Sequence, residues 1–214
     1  MSSITNISSI TRRPRLISGL VASMAALAMI PAAASAATTS FGSSLNHEPA
    51  NAGTSCDQNN LDNPPLCTHV GSFYPGFSGH AQAPVSGTIV KVRVRAAGPM
   101  TLKFKVVQVR NVSADHTQGQ AKVVATSRTL NFNGPSQTDQ NNGNFPIESR
   151  NVNIKVQKGQ ELAIDTSNNQ AEYCSDGTPG QLTFFNPNLS AGTGFRSAQG
   201  VDDCLLLVQA VIKH

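Results

Sequence analysis

Apolar and polar residues alternate with a period of two along much of the chain beyond residue 85, the pattern of strands with one covered face. Val90, Val92 and Val94 share one side, while Lys91, Arg93 and Arg95 share the other. Leu102, Phe104 and Val106 repeat the pattern against Thr101, Lys103 and Lys105. The pair Val106-Val107 breaks the alternation and Val109 continues from Val107, which predicts a bulge that re-aims the strand. A less regular strand is expected over 121–132. Another follows where Val152, Ile154 and Val156 alternate with Asn151, Asn153, Lys155 and Gln157. Lys158-Gly159 turns the chain into Leu162 and Ile164; a short apolar run follows at 182–185. Residues 205–212 are almost continuously apolar, as in a strand covered on both faces. Clusters of Asn, Pro and Gly at 59–65, 141–144 and 175–180 punctuate these runs, and 134–144 reads as a long polar loop with a mobile tip.

This pattern predicts an all-β domain, a single β-sandwich of about eight strands, jelly-roll-like or with another sandwich topology. The chain has no Trp, which excludes the Cys–Trp–Cys core of antibody domains.

The one long apolar run without this alternation lies near the N-terminus. Arg12, Arg13 and Arg15 precede an uncharged stretch from Leu16 to Ile30, Pro31 breaks it, and Ala34-Ser35-Ala36 matches a signal-peptidase site. A stretch of ~15 residues is short of the ~20 that a membrane helix needs. Residues 1–36 are therefore expected to be a cleaved signal peptide, by the general secretory or the twin-arginine route. Residues 37–214 would form one secreted domain with no membrane-spanning segment. The three leader arginines account for most of the net charge of +4, so overall charge argues for neither nucleic acid nor membrane as a partner.

Export also decides how the four cysteines read. In an oxidising compartment Cys56, Cys67, Cys174 and Cys204 predict two disulfides. Of the three pairings, Cys56–Cys67 with Cys174–Cys204 closes two local loops, each stabilising by roughly 2–3 kcal/mol or slightly more. No C-x-x-C and no His pair has the spacing of zinc ligands.

The run from Ala83-Pro84-Val85-Ser86-Gly87-Thr88-Ile89-Val90 to Val156-Gln157-Lys158-Gly159-Gln160-Glu161-Leu162 resembles exported β-sandwich proteins of actinobacteria of uncharacterised function. These share an AP-x-x-G-x-(V/I) opening after a Cys-containing segment, a later V-x-x-G-(D/Q)-x-(I/L) turn and an apolar last strand. The resemblance spans residues 40–212. It implies a jelly roll similar to carbohydrate-binding and galactose-binding-like modules, and it carries over no catalytic residue.

Four groups of residues are candidates for chemistry. If the strands flanking Gly98-Pro99 formed a hairpin, Val94 would face Leu102 and Val92 would face Phe104. Arg93 would then oppose Lys103, and Lys91 would oppose Lys105. Such like-charge pairs are unfavourable. Either an anion covers that face, or the two strands belong to opposite sheets. The stripe Lys91, Arg93, Arg95, Lys103 and Lys105 is thus the candidate site for an anionic polysaccharide or cell-wall polymer. Tyr74, within Ser72-Phe73-Tyr74-Pro75-Gly76-Phe77, is the candidate sugar-stacking residue. Glu172, Asp176, Asp202 and Asp203 would meet around a Cys174–Cys204 bridge and offer oxygens to Ca²⁺, with no other cofactor implied.

Catalytic signals are weaker. Gly76-Phe77-Ser78-Gly79-His80 lacks the last glycine of a nucleophile elbow, and His47-Glu48 has no second His at zinc-protease spacing. Glu148, Glu161 and Asp165 are expected at exposed positions, and His69, His80 and His116 in loop-like surface contexts. The expectation is a non-catalytic exported protein that binds a carbohydrate or cell-envelope component. The alternatives are a self-assembling envelope protein and a glycan-active hydrolase.

Overall fold

The computed structural model describes residues 36–50, 66–71, 79–114, 118–168, 170–174, 182–202 and 204–214. Residues 1–35 of the expected signal peptide lie outside them. Fourteen strands follow one another: β1 (Thr38–Ser43), β2 (Cys67–Val70), β3 (Gly79–His80), β4 (Gly87–Arg95), β5 (Met100–Arg110), β6 (Gln120–Phe132), β7 (Ile147–Val156), β8 (Glu161–Thr166), β9 (Glu172–Cys174), β10 (Leu182–Phe185), β11 (Arg196–Ser197), β12 (Gly200–Asp202), β13 (Cys204–Leu206) and β14 (Val208–Lys213). A single-turn helix, α1 (Gln137–Asn141), precedes β7.

The fold is all-β and sandwich-like. One sheet has the order β3-β1-β14-β4-β7, the other β11-β6-β5-β8-β2-β10-β12, and β13-β9 make a separate pair. All strand pairs are antiparallel. Seven strands run six residues or more, close to the eight or so that alternation predicts. The others are two to four residues long, too short to alternate visibly.

Apolar positions of both sheets meet in one core. Ile89, Val92 and Val94 on β4, Ile154 and Val156 on β7, and Ala210 and Ile212 on β14 face Leu102, Phe104 and Val106 on β5, Leu130 and Phe132 on β6, and Leu162 and Ile164 on β8. The outer face of the seven-stranded sheet carries a second, smaller core. There Val70, Val107, Ala121, Val123 and Ala163 pack under Phe185 and Leu189.

Of the two arrangements left open for β4 and β5, the structure has the second: β4 pairs with β14 and β7, β5 with β6 and β8, so the two belong to opposite sheets. Other expectations are corrected. Val90 does not share the core side of Val92. The register of β4 shifts between Ile89 and Lys91, and Ile89 enters the core while Val90 is half-buried. The ladder is irregular at Val106-Val107, but β5 keeps its alternation there. Val106 and Val107 pair with Ala125 and Val123, so the extra residue, Val124, belongs to β6. Both valines are buried because both faces of β5 are covered at that point.

The loop at 134–144 is not uniformly loose. The Ser136 hydroxyl accepts the Asp139 N–H, and the Asp139 carboxylate in turn accepts the Ser136 N–H, a capping box that starts α1. Gly134 enters this loop at φ +66°, where an added Cβ would lie 2.4 Å from the Gly98 backbone, so only glycine fits.

Cys174 and Cys204 are directly opposed on β9 and β13 and form the expected disulfide, with Cα atoms 4.2 Å apart. Cys67 is also disulfide-bonded; its expected partner, Cys56, lies outside the described residues.

Candidate functional site

The basic stripe is split by the two-sheet arrangement. Lys91, Arg93 and Arg95 lie on the outer face of the five-stranded sheet. Lys91 is beside Val211 and Asn151, and Arg93 is beside Gln209 and Ser149. Lys213 and Lys155 flank Thr88 on that same face, and the Lys155 ammonium donates to the Thr88 hydroxyl at 2.9 Å. Sequence reasoning had not joined Lys155 or Lys213 to the stripe. The pairing of three strands brings them there; 205–212 reads as a strand covered on both faces, whereas Gln209 and Val211 are only half-buried and Lys213 is exposed on the outer face. Residues two apart on a strand are ~6.7 Å apart and neighbouring strands ~4.8 Å, so these cations form a grid over β14, β4 and β7.

Among the described residues the strands of this sheet contribute no carboxylate to this face; Glu48, from the segment after β1, reaches it at Arg95. Glu148 is the one acid among β1, β3, β4, β7 and β14. It sits opposite Val94 on the core-facing side, accepting the Gly134 N–H at 2.7 Å and pairing with Arg150 at 2.8 Å. Arg93 is oriented through Nη1, which donates to Gln209 Oε1 at 3.0 Å, while Gln209 Nε2 donates to the Ser43 carbonyl.

Arg95 is a correction. Its guanidinium donates to the carbonyls of Leu45, Asn46, His47 and Phe145 and lies 3.4 Å from Glu48. It clamps the segment after β1 onto the sheet, leaving little donor capacity for a ligand.

Lys103 and Lys105 lie on the other sheet. Lys103 is exposed on its outer face. Lys105 points the same way yet is buried, with Nζ 2.5 Å from Asp165 Oδ2. Burial pushes the Lys105 amine below its ordinary value, and Asp165 opposes that shift. Lys105 is therefore removed from any surface site.

The other candidates fare differently. Tyr74 lies outside the described residues, as do His116, Asp176 and Asp203, and the side chain of Asp202 is likewise undescribed. Glu172 is fully buried on β9, with Oε1 3.6 Å from His69 Nδ1, and is not part of an open oxygen-rich loop. Its carboxylate lies within 4.8 Å of both Cys174 and Cys204 sulfurs, but these are bonded to each other and offer no thiolate to a metal. His69 is a core residue, contrary to the surface placement expected. Its pKa falls to about 4 through burial, so it is neutral at pH 7.

The three carboxylates considered for hydrolysis are engaged or enclosed. Asp165 pairs with Lys105, and Glu148 with Arg150. Glu161 is buried on β8; its Oε1 accepts from Gln82 at 3.3 Å and its Oε2 has no hydrogen-bond partner. Burial pushes its pKa up to about 8. Surface clefts among the described residues include the following two. One, of about 560 Å³, is lined by Asn111, Gln118, Gln120, Ser197 and Gln199 with glycine and apolar neighbours. The other, of about 250 Å³, lies around Gln82 and Lys158. Neither has a carboxylate in its described lining.

No family model matches the chain, and no curated protein or solved structure gives a significant match.

Proposed function

We propose that this chain is an exported, non-catalytic module that binds an anionic polysaccharide of the cell envelope through the outer face of its five-stranded sheet. The observation that carries the reading is the grid of Lys91, Arg93, Lys155 and Lys213 across three adjacent strands, to which those strands add no carboxylate on the same face. A flat sheet face with cations of one sign suits an extended polymer whose charges repeat along its length, because several weak contacts add. The half-buried stems of Lys91 and Arg93 hold their charges near fixed positions and lower the entropy lost on binding.

Export is supported by the leader pattern of residues 1–36 and by the disulfides. The first described strand begins at Thr38, two residues beyond the expected cleavage point.

The test is retention of the folded protein on immobilised polygalacturonate and on a neutral glucan. Retention is expected on the acidic polymer alone and should weaken as salt is raised from ~50 to ~500 mM. Lys91→Glu with Lys213→Glu should lower affinity roughly tenfold or more. Lys103→Glu, on the other sheet, should leave it unchanged. Equal retention on both polymers, or equal loss from all three substitutions, would overturn the assignment of this face.

A further inference from the structure

The outer face of the seven-stranded sheet holds an amine against a carboxylate in a closed site. Lys105 lies on β5 and Asp165 on the adjacent β8, where Asp165 pairs with Lys103, so the two side chains meet diagonally on one face. Both residues are at most 3% exposed, and Nζ lies 2.5 Å from Oδ2.

The segment 186–189 covers them. Asn188 Nδ2 donates to Asp165 Oδ2 at 2.8 Å, the Lys105 amine donates to the Leu189 carbonyl, and the Leu189 N–H donates to Thr68 Oγ1 at 2.8 Å. The Thr68 hydroxyl donates to Asp165 Oδ1 at 2.5 Å. Arg196 fixes this cover by donating to the carbonyls of Asn186, Pro187 and Asn188. Val70, Val107, Ala163, Phe185 and Leu189 complete an apolar surround.

Such a site disfavours separated charge. Transfer of one proton from ammonium to carboxylate converts the ion pair into a neutral amine beside a neutral acid, the forms that low polarity favours. We propose that Lys105 Nζ and Asp165 Cγ condense in the folded protein into an intramolecular amide that cross-links β5 to β8.

The amine lone pair attacks Cγ and a C–N bond forms. The C–O bond to the hydroxyl oxygen breaks, and that hydroxyl leaves with one proton from nitrogen as water. No oxidant, reductant or cofactor takes part. The Thr68 hydroxyl stabilises the negative charge that grows on Oδ1, and the Asn188 amide supports the oxygen that departs. Fixed placement supplies the rest, since well-oriented intramolecular pairs reach effective molarities of ~10⁵–10⁸ M.

Peptide mapping of the reduced, denatured full chain tests this directly. Trypsin should release a branched peptide that joins residues 104–110 to residues 159–196. Its mass should be about 18 Da below the sum of the two, the loss of one water. Lys105 should resist amine-reactive labelling after denaturation. A Lys105→Arg variant should give linear peptides alone. Linear peptides from the unaltered chain, with Lys105 cleaved and labelled, would overturn the proposal whether or not that variant folds.

Discussion

The two faces of the seven-stranded sheet are buried by different means. The inner face meets a second sheet, and its contacts are almost all apolar, as with Phe104, Leu162 and Ile164. The outer face is roofed in part by the segment between β10 and β11, which encloses Lys105, Asp165 and Thr68 beside a few apolar side chains, and the same face buries Glu161. A sheet can pair with a sheet through shape alone. A covering loop carries backbone groups that need partners, so the face beneath it supplies polar ones. The Lys105 amine and the Thr68 hydroxyl do this for Leu189.

The largest expected effect separates the two faces. Phe104→Ala and Phe185→Ala both delete a fully buried ring. Phe104→Ala should cost ~3–5 kcal/mol and raise amide exchange throughout the domain. Phe185→Ala should cost less, ~2–3 kcal/mol, because the cover can loosen locally. Its exchange should rise over 186–199 while β4 and β14 stay protected. A uniform rise for both variants would remove the distinction.

The next effect is a pH dependence confined to the outer face. Glu161 has a folded pKa of about 8, against an ordinary value of 4.5. Below 4.5 the group is protonated in both states, and its neutral form is accommodated in the fold. Between 4.5 and 8 the unfolded chain ionises while the folded chain keeps its proton, so stability falls as pH rises. Glu161→Gln should abolish this loss. Its advantage over the unaltered chain should be near zero at pH 4 and reach a few kcal/mol by pH 8.5, read from urea midpoints at each pH. Parallel curves across that range would show that Glu161 ionises without penalty.

A smaller effect tests how the cover is held. Arg196→Ala removes the donor to three successive carbonyls and should cost ~1–2 kcal/mol. Proteolysis between 186 and 196 should accelerate, with little change in the inner core.

Alternation carried the inner core well. Val92, Val94, Leu102, Phe104, Ile154 and Ile164 are all buried where the pattern puts them. It failed at Ile89 because a register shift in β4 inverts the facing of the residues before it. It failed at Lys105 because that side chain keeps the facing of Lys103, and what buries it is folded from chain some 80 residues later. Local spacing holds no trace of such a cover. The same holds for Arg95, whose acceptors lie near residue 46, and for His69, on a strand of four residues. The Ser136–Asp139 capping box falls within 134–144, which the pattern reads only as a polar loop. The cation grid was half visible: β4 showed two of its members, Lys91 and Arg93, and strand pairing added Lys155 and Lys213.

The position of β14 bears on how this molecule comes to be assembled. It is the last strand in chain order yet sits in the middle of its sheet, with β1 on one side and β4 on the other. A nascent polypeptide emerging from its N-terminus thus holds two unjoined halves of that layer until residues 208–213 arrive. Joining of that layer therefore waits on β14, and each half keeps one open edge before then.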